Sequence, residues 1–193
     1  MIIERLTKWF KASYNISISK YVAKFLKEGD KVLDIGSGTG FVAEQIQKDH
    51  KVFIEGVDIH SSNLASIPYK VFDGKKLPYS NKYFDKILLV YVLHHCRDPK
   101  NLLREAKRVC KESGKIIIFE DTYKNIFEKL LTRIHGLFFN KLFCINNNAS
   151  FSTKKEWIKK FMELELNLVY SSYINKQISY PVSHIMFVLK PLK

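Results

Sequence analysis

The run Val32-Leu-Asp-Ile-Gly36-Ser-Gly38-Thr-Gly40 is the stretch whose residue types and spacing could do chemistry. An apolar strand running straight into glycines lets the backbone turn sharply and lets a ligand come close to it. The helix that follows aims its N-terminus, with unpaired N–H groups and positive partial charge, at that ligand. Asp58, 20 residues beyond Gly38, ends the next apolar run. In a doubly wound sheet a carboxylate there accepts hydrogen bonds from both hydroxyls of a ribose. Together the two features imply a nucleoside-containing ligand where the strand order reverses. A dinucleotide fingerprint wants a small residue three positions after its second glycine, and Phe41 stands there instead. Asp34, just ahead of the turn, would repel a pyrophosphate but suits a cationic α-ammonium. No Gly-Lys-Ser/Thr follows, so the phosphate-cradling loop of nucleotide hydrolases is absent. This local chemistry favours S-adenosylmethionine over NAD or ATP.

The elements that must hold these residues are legible as apolar runs alternating with helical patterns, the signature of a parallel sheet wrapped by helices. Residues 1–28 read as two short amphipathic helices. Ile2, Ile3, Leu6, Trp9 and Phe10 share a face of the first; Tyr21, Val22, Phe25 and Leu26 pattern the second, which stops at Gly29. Strands are predicted at 31–35, 52–59, 69–72, 84–91 and 115–120, the fourth apolar on both faces as a central parallel strand should be. Helices are predicted at 41–48 and 99–111, the latter with Asp98 as N-cap, Pro99 at its first position and Ser113-Gly114 as its stop. Residues 123–145 read as a long helical stretch broken near Gly136, followed by a polar loop to Ser150, so 123–150 forms a helical insertion. Thr153 and Glu156 make a capping box for a helix to Leu166. Two β-rich runs, 168–174 and 184–189, close the chain.

Composition bounds the class. The 193 residues are the length of one ordinary domain, so a single domain over 1–193 is expected. With 46% hydrophobic and 26% charged residues, both disorder and a spanning membrane protein are disfavoured. The net charge of +13 comes almost wholly from lysine, with arginine only at positions 5, 97, 104, 108 and 133. Lysine spread so evenly reads as a solvated surface; it raises the odds of an anionic partner without naming one. Cys96, Cys110 and Cys144 form no CxxC pair, which points to a reduced compartment and away from structural zinc. The charged N-terminus lacks a signal-peptide core, and the longest apolar run, 87–93, is too short to span a bilayer. A soluble, cytoplasmic protein is the expectation; the oligomeric state is not readable.

Several motifs now line up in order: Val32–Gly40, Gly56-Val-Asp58-Ile, Phe72-Asp73-Gly74, Leu77-Pro78-Tyr79, Tyr83-Phe-Asp85, Val92-Leu-His-His95 and Ser113-Gly-Lys-Ile116. Over about residues 20–121 the chain resembles the class I S-adenosylmethionine-dependent methyltransferases, specifically the small-molecule (type 11) subgroup. The resemblance implies a Rossmann-like, doubly wound, mostly parallel seven-stranded sheet with an antiparallel last strand. It also implies S-adenosyl-L-methionine as cofactor and S-adenosyl-L-homocysteine as product. By that resemblance Asp34 faces the methionyl ammonium, and Gly36, Ser37, Gly38 and Gly40 line the methionine. Asp58 holds the ribose, Ile59 lies against the adenine, Asp73 meets the adenine amino group with Gly74 beside it, and Val90 offers backbone contacts near the methionine.

The acceptor is less determined. Methyl transfer is an in-line displacement, so proximity and alignment in a dry pocket can supply much of the catalysis. A general base helps only where the acceptor must lose a proton. His94 and His95 follow the fourth strand near the expected methyl position; the alternative for them is packing or capping at a helix start. Glu120 and Asp121, ending the fifth strand, are the next candidates, with capping of the following helix as their alternative. No metal site is expected, because the adjacent His94, His95 and Cys96 point apart. The apolar face with Phe127, Leu130, Leu131, Ile134, Leu137, Phe138, Phe139 and Leu142 is core, a lid over an apolar acceptor, or a surface meeting membrane lipid. Trp9, Phe10 and Tyr14 could close the other side, while Trp157 reads as packing. The leading expectation is a methyltransferase acting on a small, apolar or lipid-like acceptor. The rivals are an RNA methyltransferase, which the charge supports, and a silent partner-binding domain. The Asn/Asp-Pro-Pro-Tyr/Phe motif of adenine N6 enzymes and the Pro-Cys nucleophile of cytosine C5 enzymes are both missing at Val90-Tyr-Val-Leu93.

Overall fold

The apolar runs fold as seven strands of one sheet: β1 Lys31–Ile35, β2 Phe53–Asp58, β3 Tyr69–Val71, β4 Phe84–Val90, β5 Cys110–Thr122, β6 Leu166–Ile174 and β7 Ser183–Pro191. The computed structural model describes residues 15–143, 150–174 and 183–192, with the side chains of 135–143 outside that description. Strand order is β3-β2-β1-β4-β5-β7-β6. β3, β2, β1, β4 and β5 pair in parallel, and β7 runs antiparallel between β5 and β6. This is the class I architecture the resemblance implies. The order reverses between β1 and β4, which places a crevice at their carboxyl ends.

Helices cover both faces. α1 spans residues 15–22 and runs into a 3-10 turn at Ala23–Phe25; α2 is Phe41–His50, α3 Pro99–Val109, α4 Ile126–Phe143 and α5 Lys154–Glu163. Successive residues of a strand point to opposite faces, so central β4 feeds two cores at once. Leu88 joins Ile117, Phe119, Ile18, Val22, Ala43 and Ile46 on the α1/α2 side. Ile87 and Leu89 join Ile116, Ile118, Leu102, Leu103, Trp157 and Phe161 on the α3/α5 side. That two-sided demand is why β4 reads as an unbroken apolar run. The expected caps form: Asp98 accepts the Asn101 N–H at 2.9 Å, with Pro99 opening α3. Thr153 and Glu156 satisfy each other's backbone reciprocally at the start of α5.

Most element ends shift by a residue or two, and a few differ more from the sequence expectation. α3 stops at Val109 and not Lys111, because Cys110 already pairs with Phe84; Ser113 and Gly114 then lie within β5, where its register with β4 shifts. α5 ends at Glu163, since Leu166 opens β6. α4 runs unbroken through Gly136; one glycine inside a helix costs only about 1 kcal/mol, too little to break it. Its N-terminus is capped by Asn125, whose Oδ1 accepts the Glu128 N–H at 2.9 Å, and not by Glu120 or Asp121. Among the described residues of the apolar face of α4, Phe127, Leu130 and Ile134 are exposed and not core, and Leu131 is half-buried. The patterned helix over residues 2–10, Tyr14, and the side chains of Leu137, Phe138, Phe139 and Leu142 lie outside the described residues.

A buried ion pair joins Lys86 Nζ to Asp30 Oδ2 at 2.8 Å, and the same oxygen accepts the Lys27 N–H at 2.8 Å. Asp30→Ala would strand the Lys86 ammonium away from water. It is expected to cost about 3 kcal/mol, seen as a lower urea midpoint at unchanged slope. Adding Lys86→Met should recover most of that loss.

Candidate functional site

β1 leaves the sheet through a turn that only glycine can make. Gly36 has φ +72°, and a Cβ there would lie 2.5 Å from Val92 Cγ2, so the loop passes tightly under the segment that follows β4. Gly38, at φ +53°, has nothing within 4 Å of where a Cβ would sit, so this face of the loop opens outward. Four of the loop's own amides are already used. Gly36 and Ser37 donate to the Val57 carbonyl, Gly40 to the Ser37 carbonyl at 2.9 Å, and Gly38 to Asp58 Oδ2 at 2.9 Å. The N–H groups expected to point at a ligand are those at the start of α2, where Gly40 supplies no side-chain cap. What the loop itself offers a ligand is a smooth surface, with polar recognition left to that helix end and to side chains.

Two carboxylates flank that surface. Asp58 stands at the end of β2, half-buried, with Oδ1 accepting the His60 N–H at 3.1 Å and Oδ2 turned to Gly38. Asp34 is nearly sealed from water, and its Oδ1 has no hydrogen-bond partner; the buried Ser37 hydroxyl is also unpaired. Burial lifts the Asp34 pKa to about 7, against the lowering influence of the nearby Ser37 hydroxyl and with some repulsion from Asp58. Beyond Asp58, exposed Ile59 packs beside Gly74, whose Cβ position would be 3.2 Å from Ile59 Cγ2. Asp73 fills the turn role: Oδ1 accepts the N–H groups of Lys75 at 2.8 Å and Lys76 at 3.0 Å, which holds its carboxyl below the usual range. Val90 ends β4 opposite Phe119. Tyr91 then adopts φ +57°, a conformation a bulky side chain rarely takes and no sequence pattern signals.

Along the same edge the structure pairs residues that the sequence presents separately. Glu120 is fully buried on the α3/α5 side of β5. Its Oε1 accepts the Leu93 N–H at 2.7 Å and its Oε2 lies 2.6 Å from His94 Nδ1. His94 and His95 sit in a 3-10 turn, Leu93–His95, ahead of α3, with ring centroids 4.0 Å apart. Burial pushes His94 down, but the charge and hydrogen bond of Glu120 outweigh it and hold the imidazole above its ordinary pKa. Burial and the neighbouring His94 drive His95 down to about 4. Asp121 points to the other face and meets His184 Nδ1 at 2.6 Å, with the Tyr91 ring edge-on to His184. Sequence reasoning missed His184, which carries no motif. It arrives because antiparallel β7 sets it opposite Asp121. A separate groove of about 600 Å³, lined by Arg104, Lys107, Glu163 and Glu165, lies at the opposite edge of the sheet. There Lys107 is paired with Glu165 and Lys100 with Glu163.

The unpartnered Asp34 carboxylate leaves a signature in stability. Between about pH 4 and pH 7 folded Asp34 keeps its proton while the unfolded chain has lost it, so stability falls as pH rises through that window. From a folded pKa of about 7 and a reference of 3.8, the loss reaches about 4 kcal/mol above pH 7. Asp34→Asn should abolish it, so urea titrations across this range should show the variant gaining on the parent as pH rises.

Residues 33–118 match the methyltransferase domain family. The chain is 36% identical over 129 residues to an uncharacterized protein of Methanocaldococcus jannaschii, covering 63% of this chain and 48% of that one. It is 30% identical over 128 residues to the ubiquinone/menaquinone biosynthesis C-methyltransferase of Neisseria meningitidis serogroup C, covering 58% and 49%. The chain thus spans about half the length of the curated relatives it matches. A putative methyltransferase of Bacillus halodurans superposes with a TM-score of 0.71 at 16% identity, covering 93% of this chain and 100% of the other, a likeness of fold alone. Strand order, the antiparallel β7 and the superposition agree on the fold: the chain folds as a class I, Rossmann-like methyltransferase-type sheet, and residues 33–118 of it match the methyltransferase domain family.

Proposed function

We propose that the chain is an enzyme that transfers the methyl group of S-adenosyl-L-methionine to a small, apolar organic acceptor. The observation that carries this reading is Asp34, a buried carboxylate whose Oδ1 has no protein partner, beside an outward-facing glycine surface. A buried charge is retained only where something pairs with it, and a ligand ammonium supplies that pairing. Asp34 at one end and Asp58 at the other fit a ligand that is an amino acid at one extremity and a nucleoside at the other.

In this reading Asp34 takes the ammonium, and Gly36, Ser37, Gly38 and Gly40 form the floor under the methionine. Asp58 uses its remaining lone pairs on the ribose hydroxyls. Ile59 and Gly74 flank the adenine, Asp73 accepts from its amino group through the oxygen not engaged in the turn, and Val90 lies beside the methionine. When bound, the cofactor supplies an electrophilic sulfonium methyl and leaves as S-adenosyl-L-homocysteine. The protein's part is to align the acceptor and exclude water. Where the acceptor must shed a proton, His95, held neutral by its low pKa, and His94, oriented by Glu120, are the groups to receive it. The relative in quinone biosynthesis supports a small-molecule acceptor over RNA.

S-adenosylmethionine at about 100 times its Kd should stabilise the protein by about 2.7 kcal/mol. Asp58→Ala should weaken that ligand's binding at least about tenfold. No thermal shift at millimolar ligand would reject the reading. Labelled methyl transfer into cell extract, split into lipid, metabolite, RNA and protein fractions, then identifies the acceptor class. Label in the lipid or metabolite fraction is expected, and label confined to RNA would overturn the small-molecule assignment.

A further inference from the structure

We infer that the exposed face of α4 docks the protein on an anionic phospholipid surface. At 3.6 residues per turn, Ile126, Phe127, Leu130 and Ile134 fall within an arc roughly 100° wide. They are 80%, 66%, 57% and 54% exposed, an unpartnered apolar stripe and not a scatter of single side chains. The opposite side of the helix faces the protein: Thr132 is buried, and Glu128 Oε2 accepts from Ser183 Oγ at 3.2 Å. The stripe is therefore oriented, with its back to the strand ends and its apolar arc to solvent.

The charges around the stripe complement an anionic bilayer. Arg133 and Lys129 follow the arc along one flank of the helix. Below its N-terminus Lys124 and Lys154 converge on one spot, their ammonium groups 4.4 and 5.8 Å from the centroid of the Tyr173 ring. Two acids lie nearby: Glu128 accepts the Lys124 N–H at 2.9 Å, and Glu156 is held in its capping box within the field of Lys129. Four cations, Lys124, Lys129, Arg133 and Lys154, outnumber them. An apolar arc rimmed by Lys and Arg, on a chain of net charge +13, is the composition of a helix that lies in the headgroup boundary. Nucleic acid is the weaker match, because a strand-binding surface presents several arginines and stacked aromatics, and this stripe is mainly aliphatic. No helix among the described residues is long and apolar enough to cross a membrane, so α4 lies on the surface and does not span it. Because α4 follows directly on β5, docking brings the carboxyl edge of the sheet, with Glu120 and Asp121, close to lipid. Binding to lipid does not depend on the methyl-transfer reading and is measured without cofactor.

The test is co-sedimentation of the full chain with vesicles. Protein should pellet with phosphatidylcholine vesicles containing about a quarter phosphatidylglycerol, far less with pure phosphatidylcholine, and several-fold less in about 0.5 M salt. Phe127→Ser with Leu130→Ser should weaken partitioning about tenfold without lowering the melting temperature. Lys129→Glu with Arg133→Glu should erase the preference for anionic lipid. Val71→Ser, at an equally exposed apolar position on β3, should change nothing. The inference is overturned if the parent does not bind vesicles. It is equally overturned if the Phe127/Leu130 variant loses several degrees of melting temperature, which would mean the chain itself covers the face. Loss of a dimer in that variant, or retention of RNA through this face in place of vesicles, also sinks it.

Discussion

Parallel strands deliver their carboxyl ends to one edge of a sheet, and in this fold three buried carboxylates, Asp34, Glu120 and Asp121, stand on that edge. Everything chemical about the protein follows from how each of the three is compensated. An ionised carboxylate out of water is tolerable only with a partner close by. Glu120 has His94 and the Leu93 amide; Asp121 has His184. Asp34 keeps one oxygen, Oδ1, that accepts no well-formed hydrogen bond, with only the Ser37 hydroxyl near it. The contrast with Asp30, which sits at the opposite end of β1 and is neutralised by Lys86, shows that the fold readily pairs a buried acid where no ligand is needed.

The two histidine–carboxylate pairs lie on opposite faces of β5 because adjacent residues of a strand point apart. Glu120 reaches toward the α3/α5 side and locks the 3-10 turn after β4; Asp121 reaches toward the α1/α2 side and ties the start of β7. The rim between β4, β5 and β7 is thereby pinned from both faces. The strained Tyr91 backbone fits this arrangement: held by its N–H to the Phe119 carbonyl at 2.9 Å, it redirects the chain from β4 into the turn carrying His94 and His95. In the proposed reaction such rigidity is the useful property, since displacement at a methyl group depends on alignment more than on any single acid or base.

The insertion works by the opposite principle. Over the described side chains of α4, Glu128 reaches Ser183 and Thr132 is buried, while Ile126, Phe127, Leu130 and Ile134 are exposed. The helix's position directly after β5 couples that exposed face to the edge where the carboxylates stand.

Strand and helix types, the two capping motifs and the glycine-rich turn with its distant aspartate were legible in the sequence. Each depends on residues near one another in the chain: an alternating or continuous apolar run, a Thr three residues before a Glu, a glycine where φ must be positive. Element ends were less legible, as at Val109 and Glu163, because strand pairing with β4 and β7 overrode local helical preference. Three things were decided only by the tertiary structure. The amides of Gly36, Ser37, Gly38 and Gly40 turned out to be spent on Val57, Ser37 and Asp58; Glu120 and Asp121 found histidines and left α4 to be capped by Asn125; and Phe127, Leu130 and Ile134 of α4 turned outward. The reason is common to all three. Local sequence determines which groups need a partner or burial, but which partner satisfies them depends on chain segments tens of residues away, brought together by the order and direction of the strands.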